Sequence, residues 1–465
     1  MSELPAGWRM VPLGEMGAWA GGGTPSKAVE SYWTGGTIPW ISPKDMKREI
    51  LHSAEDYITP AAVSESSTRV VPHPAVLVVT RSGILSRTLP VAVTAVDAAI
   101  NQDIKSLVPI EGVSSRYVAA AMRAFERDIL TKCSKHGTTV ASIDQERLLR
   151  FEIPLAPPAD QDAVVEVLDT HLSRLDAASD TLERAQRNLK RYRASVLKAA
   201  VEGRLVPTEA SLASAEGRSY EPASVLLERI LAERRERWKA SGKRGTYKEP
   251  VAPDTTGLPE LPEGWCWGTV GQIADVSGGI TKNAKRDRLL RRVPYLRVAN
   301  VYADELRLEE VSEIGVTDAE FDRVALDTGD LLVVEGNGSP DHIGRAAIWD
   351  GSIAPCVHQN HLIKARFQPG PMNRWVLSWL RSSSGRKSIE RVSSSTSGLY
   401  TLSISKIAGL VLPIPPSAEQ QRISLEVSRL LTVAVAVEGA LLADLSRLSV
   451  LRSRVLRAAF RGELV

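Results

Sequence analysis

The eleven residues VLKAAVEGRLV, Val196–Val206, return 259 positions later as VLRAAFRGELV, Val455–Val465. Seven of the eleven positions are identical. Each copy closes a long helical pattern. In the first, Asp160–Val201 contains neither Gly nor Pro. Leu168, Leu175, Leu182, Leu189 and Val196 recur every seventh residue, with His171, Ala178, Ala185, Tyr192 and Ala199 three positions on. Moved by 259 residues the frame survives as Val427, Ala434, Leu441, Leu448 and Val455, with Leu430, Val437, Asp444, Leu451 and Ala458. This is a heptad seam, and a seam needs a partner. The simplest partner is the other copy, packed antiparallel within one chain. The alternative is that each helix packs onto its own globular part. Pro157-Pro158 and Pro415-Pro416 end the preceding chain just before each helix, and Gly203 and Gly462 are placed as C-caps.

The repeat extends upstream. Glu3-Leu-Pro-Ala-Gly-Trp8 matches Glu260-Leu-Pro-Glu-Gly-Trp265, and Ile38-Pro39-Trp40-Ile41 matches Val293-Pro294-Tyr295-Leu296. Val76–Val79 before Arg81-Ser82-Gly83 matches Leu331–Val334 before Asn337-Gly338-Ser339. Asn101-Gln102-Asp103 is set against His358-Gln359-Asn360, and Ile153–Pro158 against Leu412–Pro416. Two copies are too few for a solenoid. The expected fold class is α+β: two globular domains joined by two long antiparallel helices in an intramolecular coiled coil, with a pseudo-two-fold arrangement. The expected segments are a first globular domain over 1–156, a spacer helix over 157–206, an amphipathic helix and linker over 207–259, a second globular domain over 260–414 and a second spacer helix over 415–465. Within 207–259, Leu226, Leu227, Ile230, Leu231 and Trp238 fall at helical spacing after Pro222, which is placed in the first turn. That helix could lie on the long helices or receive another subunit.

Composition narrows the class. Hydrophobic residues make up 43% and charged residues 24% of 465, ordinary values for a soluble protein. No apolar run is long enough to span a bilayer, and MSELPAGWRM is not a signal peptide. Cys133, Cys266 and Cys356 are scattered, which fits a reducing compartment and a cytoplasmic location. A net charge of +3 means that any nucleic-acid role rests on local basic faces. Two lie on the helices: Arg184, Arg187, Lys190, Arg191, Arg193 and Lys198, then Arg447, Arg452, Arg454, Arg457 and Arg461. They are either solvated faces or stripes toward phosphates or an acidic partner.

The Gly-rich loops of the globular parts carry DNA-compatible side chains. In the first half these are Lys27, Lys44, Arg81, Ser82, Gln102, Lys135 and Thr138. In the second they are Lys282, Arg297, Asn300, Asn337, Ser339, Gln359, Asn360, Ser395 and Tyr400. Arg pairs bidentately with guanine, and Asn or Gln with adenine, in the major groove; Lys and Ser more often hold phosphates. For any single residue of this set a capping or loop role competes with base contact. Catalytic signatures are missing. Gly21–Lys27 and Ser241–Arg244 fail the spacing of a phosphate loop. The Asn/Asp-Pro-Pro-aromatic element of amino-methyltransferases is absent. Cys356, His358 and His361 offer three ligands with no counterpart in the first half, which argues against zinc. No metal site and no catalytic residue is assigned.

The Leu-Pro-x-Gly-Trp openings, the Pro-Pro entries followed after two and three residues by Gln161 and Gln420, and the Val-Leu-x-Ala-Ala-x-x-Gly-x-Leu exits occur together with Glu221–Leu231 and Pro253–Pro259. Over essentially its whole length the chain resembles the specificity subunit of type I restriction–modification systems. The resemblance implies two target-recognition domains, each reading one half of a split, asymmetric DNA sequence, with the paired helices setting the interval. It implies a subunit with no catalysis of its own. The implied partners are double-stranded DNA, two methyltransferase subunits and two restriction/translocase subunits. S-adenosylmethionine, ATP and Mg²⁺ would belong to those partners, and none would be bound by this chain. A coiled-coil adapter that binds proteins but not DNA is the alternative.

Overall fold

A computed structural model describes residues 4–135, 140–242, 245–337, 339, 342–368, 370–396 and 399–464. The chain forms two compact units, Met1–Arg184 with Leu441–Val465, and Ala185–Ala440. They cut across the linear segments, because each unit takes a part of both long helices.

The core of unit 1 is a five-stranded sheet in the order Gly17–Gly21, Ile104–Pro109, Val76–Val79, Val91–Thr94 and Ile50–Leu51. Its pairs are antiparallel except the last. The β-branched runs Val76–Val79 and Val91–Thr94 are buried along their whole length, as expected of strands covered on both faces. The helix Ser115–Ala124 supplies cover, with Tyr117, Val118 and Met122 fully buried. A second sheet runs Asp56–Ile58, Ile38–Ile41, Ala98–Ile100, Val70–Val71. Unit 2 repeats the plan. A four-stranded sheet runs Ala274–Gly278, Leu362–Phe367, Leu331–Val334, Ala346–Ile348, beside Ser312–Gly315, Arg292–Leu296, Val357–His358.

The ladders correct the alignment of the halves by one residue. Trp40 and Ile41 pair in parallel with Ala99 and Ile100, as Tyr295 and Leu296 pair with Val357 and His358. Ile100 therefore corresponds to His358, Asn101 to Gln359 and Gln102 to Asn360. Likewise Arg81 bridges Ser142 where Gly336 pairs with Thr401, so Arg81 corresponds to Gly336 and Ser82 to Asn337. Polar letters in both loops suggested a match that backbone pairing does not allow, since pairing fixes register residue by residue. Gly22 and Gly279 share one constraint: a Cβ would lie 2.1 Å from the carbonyl oxygens of Ile100 and His358 respectively.

The long helices span Pro158–Val201 and Ser417–Ala459, 44 and 43 residues, or about 65 Å each at a rise of about 1.5 Å per residue. Gly203 and Gly462 close them at φ +67° and +71°. Arg204 N–H donates to Ala199 O at 2.8 Å and Glu463 N–H to Ala458 O at 3.0 Å, the expected left-handed caps. These glycines sit on the opening motif. A Cβ on Gly462 would lie 2.0 Å from Pro5, and one on Gly203 2.6 Å from Pro262. The repeated exits and openings are thus two sides of one contact, present once in each unit.

All ten seam residues are buried or half-buried. In unit 1 Val164, Val165 and Leu168 share a core with Ala459 and Phe460, and Asp176 pairs with Arg452. In unit 2 Val196, Leu197, Ala200 and Val201 share a core with Ile423, Val427 and Leu431, and Arg193 pairs with Glu438 at 2.7 Å. Within each unit the helices therefore run antiparallel. Both expected packings coexist, since each helix end also inserts into a globular core. The second seam position is shifted. Tyr192, Val437 and Leu451 are exposed, whereas Leu172, Ala200, Leu431 and Ala459, four residues after the first position, are buried. A helix of 3.6 residues per turn presents that row to the globular core.

The helix Ala223–Ala240 starts one residue after Pro222, which is its N-cap and not part of the first turn. Its buried Ala223, Leu226 and Ile230 join the core of unit 2. Arg234 donates to the carbonyls of Gly271 and Ala274 at 2.6 and 3.0 Å. Its inner face is already occupied.

Candidate nucleic-acid interface

In unit 1 five strand ends meet at one edge of the larger sheet. Gly17–Gly21 and Val76–Val79 leave there; Ile104–Pro109, Val91–Thr94 and Ile50–Leu51 enter there. Backbone bonds tie the loops together. Gly23 N–H donates to Ile100 O at 2.9 Å, Arg81 N–H to Asp103 O at 3.2 Å, Ser82 N–H to Ala141 O at 3.0 Å and Lys135 N–H to Ser142 O at 2.8 Å. Arg81, Ser82, Gln102 and Lys135, far apart in sequence, are brought to one cluster. Lys27 lies on the loop that carries Thr24, whose hydroxyl donates to the Gln102 carbonyl. Lys27, Arg81, Gln102 and Lys135 are exposed. Ser82 also caps a short helical turn by accepting from Ile84 N–H at 3.4 Å. Lys44 stands outside the cluster, its charge met by Glu55 at 3.1 Å and Asp56 at 2.9 Å, which raise its pKa. Thr138 falls outside the described residues.

Unit 2 builds the same cluster with other side chains. Ile280 N–H donates to His358 O at 2.8 Å, Asn360 N–H to Ile280 O at 2.9 Å, and Glu335 N–H to His361 O at 2.9 Å. Gly336–Asn337, Leu399–Thr401 and Ser394–Thr396 form a small sheet alongside, joined through Leu402 N–H to Glu335 O at 2.7 Å. The segments that carry Lys282, Asn337, Ser339, Gln359, Asn360, Ser395 and Tyr400 therefore meet at one end of the sheet. One expectation needs correction. Asn300 is 3% exposed; it accepts from Arg297 N–H at 2.9 Å and donates to Arg307 O and Glu310 O at 2.8 and 3.0 Å. Its amide is spent on a turn and cannot read a base. Arg297 is half-buried and donates to Glu310 O at 3.3 Å.

Beneath the unit 2 cluster lie two buried bases. His358 is fully buried, and burial is the largest cause that lowers its pKa to about 4. Its Nδ1 faces Leu362 O at 2.9 Å, so the ring is neutral and that nitrogen donates. Lys364, 4% exposed, donates to Ala325 O at 2.8 Å, and burial first of all lowers its pKa to about 8. His361 instead faces Glu335 at 3.4 Å. Cys356 Sγ faces Val357 O. Among the described residues no group of three His, Cys, Asp or Glu could hold a metal ion.

The helix faces expected to be basic are partly consumed internally. Arg193, Arg452 and Arg457 pair with Glu438, Asp176 and Asp128. Sequence reasoning missed Thr24 and Ser142, which shape the unit 1 cluster. It also left Gln161 unexplained: Gln161 accepts from Ser114 N–H at 2.7 Å and donates to Gly112 O and Ala156 O, both at 3.0 Å. That buried amide welds the helix start to the globular part.

Residues 5–187 match the family described as "Type I restriction modification DNA specificity domain". The chain is 43% identical over 172 residues to the Escherichia coli EcoR124I/EcoR124II specificity subunit, covering 37% of this chain and 43% of that protein. It is 24% identical over 476 residues to the StySPI specificity subunit of Salmonella potsdam, covering 99% and 90%. These similarities are to type I restriction–modification specificity subunits, and the family's domain lies in the first part of the chain. Of the first three such relatives it spans 43%, 61% and 38% of their lengths. The fold agrees. The HsdS subunit from Thermoanaerobacter tengcongensis superposes with a TM-score of 0.52 at 18% identity, over 99% of this chain and 98% of that one. A chain from a study of complex assembly and conformational transition of the type I R-M system gives 0.65 at 17% identity, over the full length of both. Among the described residues no helix is long and apolar enough to cross a membrane.

Proposed function

We propose that this chain is the DNA-recognition subunit of a type I restriction–modification complex. It reads a bipartite, asymmetric target, one half-site per unit, and carries methyltransferase and translocase/endonuclease subunits in the cytoplasm. Chemistry, with its S-adenosylmethionine, ATP and Mg²⁺, resides in those partners. One observation carries this: the same strand-end cluster is built twice, with different residues at corresponding positions. Gln102 stands where unit 2 has Asn360, and Arg81 where it has Gly336. A duplicated scaffold with unlike surfaces suits two readers of different sequences. The uninterrupted helices would hold the readers at a fixed interval, so residues inserted into them change the spacer and leave the bases alone.

Mapping methylated adenines in cells carrying the system tests this. The expected result is one motif of two unlike halves around a constant spacer. Cluster substitutions in unit 2 should change one half only. Methylation without any motif dependent on this chain, or no retardation of duplex DNA by the purified complex, would leave the protein-binding adapter standing instead.

A further inference from the structure

Unit 1 contains a cleft of about 580 Å³ that the reading cluster does not use. It lies between the approach to strand Ile50–Leu51, the approach to strand Val91–Thr94, the junction after helix Ser115–Ala124 and the last turns of the second long helix. Eight cationic side chains and two carboxylates line it. Glu49 is shared by Arg123 at 3.1 Å and Arg452 at 3.5 Å, and Glu126 accepts from Leu89 N–H at 3.2 Å. Among the described residues Arg48, Arg87, Arg127 and Arg454 are exposed and meet no carboxylate. Arg123 Nε is buried without a partner.

Such a surplus of unpaired guanidinium groups offers an anion a site, and forked donors suit phosphate oxygens. Position selects which anion. Arg48 and Arg87 precede strands that enter the larger sheet at the same edge where Arg81, Gln102 and Lys135 gather. Only the short turn Gly83–Ser86 separates Arg87 from Ser82. A duplex read by the cluster would run its backbone past this edge.

We infer that the arginine-lined cleft of unit 1 grips the phosphate backbone of the duplex beside the half-site that this unit reads. Resting on the DNA-recognition function proposed above, the inference adds a sequence-independent clamp to it, and it gives the end of the second long helix, through Arg454, a part in holding DNA. A cleft of unit 2 near the start of the second long helix is lined by Arg374 and Arg381 against Asp304 and Glu305 and has no such surplus.

The test uses the complex purified through a tag on the full chain. Affinity is measured for target and random duplexes across a salt series, with R48Q/R127Q and R87Q/R454Q compared with the parent. These side chains are exposed and unpaired, so the variants should keep the parent's melting temperature and subunit composition. The expected result is equal weakening for target and random duplexes, with the slope of log K against log salt falling by about one for each phosphate no longer held. An unchanged slope and affinity would overturn the clamp. So would loss of an associated subunit with DNA binding intact, which would make the occupant an acidic protein segment. A parent complex that shows no sequence preference, while the variants still lower the slope, would defeat the recognition function and leave the clamp standing.

Discussion

Each unit has a cleft against a long helix, the first at the end of the second helix and the other near its start; the two differ in charge and share one kind of pair. Arg123 faces Glu49 in unit 1, and Arg381 faces Asp304 in unit 2. Around the first the lining is strongly cationic; around the second it is balanced. The turns that join exit to opening show the opposite. Trp8 N–H donates to Pro5 O and Trp265 N–H to Pro262 O, both at 3.1 Å, and each turn packs on a capping glycine. Duplication has been held fixed where the helices dock and released where a surface faces outward. The units should therefore respond alike where their scaffold residues match, and differently to charge, ligand and pH.

The largest test of that contrast is in the cores, where likeness is incomplete. Phe460, fully buried, stacks edge-on against Tyr117 at 5.1 Å and lies 6.4 Å from Phe125. Its counterpart in unit 2 is the smaller Val201, 6% exposed. Phe460→Ala should cost about 3–5 kcal/mol in unit 1, and Val201→Ala in unit 2 about 2 kcal/mol or less. Denaturant melts of the two variants check the ranking. Equal losses would mean that the helix ends do not anchor the units as their packing indicates.

Acid should separate the units next. His358 is neutral in the fold, with a pKa of about 4 against 6.5 unfolded. Its contribution is present in full above pH 6.5 and is lost as pH falls from 6.5 toward 4, because the unfolded chain takes up the proton first. The shift corresponds to about 3 kcal/mol. Unit 1 has Ile100 at that place and lacks the effect. Lys364 works at the other end. Its penalty, with a pKa of about 8 against 10.5, persists below pH 8 and is relieved as pH rises toward 10.5. Hydrogen exchange resolved by unit should show protection falling in unit 2 between pH 6.5 and 4 beyond any fall in unit 1. His358→Ile should remove that difference, and its persistence in the variant would exclude His358 as the cause.

At the reading surfaces the contrast sharpens to one half-site each. Arg81→Ala should reduce base discrimination by about 1–3 kcal/mol in the half read by unit 1 and leave the other half intact. Asn360→Ala should do the reverse. Methylation of single-base target variants measures both, and a change spread over both halves would break the independence of the readers.

The fold was legible because its strongest signals are long. The heptad frame, the glycine caps and the twin openings follow from periodicity and from backbone conformations that few residues adopt. Register was less so: Gln359 and Gln102 look alike in one-letter code, and only the ladder shows that Gln102 faces Asn360's position. The interface was legible as a set of loops but not residue by residue. Asn300 has the right chemistry for adenine and is consumed by a turn. Arg48, Arg87 and Arg127 gave no local signal, because their strands and helices meet only in three dimensions. Arg454 stood out as part of a helix face, without the cleft that gives it a role.

The smallest expected effect concerns the pairs that join the helices, Arg193–Glu438 in unit 2 and Arg452–Asp176 in unit 1. They are conspicuous and alike, yet partly exposed: the carboxylate side chains are 44% and 62% accessible. Solvent screens such pairs, and ordering two long side chains opposes the gain, so each should contribute under about 1 kcal/mol. Glu438→Gln and Asp176→Asn should therefore shift stability far less than Phe460→Ala, and by similar amounts in the two units. Thermal melts at low and high salt measure the difference. If either substitution cost as much as the core truncation, the helices would be held by charge, and the buried seam residues Leu168, Val196, Val427 and Ala434 would be passengers. The burial of those residues at 1–5% exposure argues the reverse, because apolar area removed from water is the larger and less salt-sensitive term.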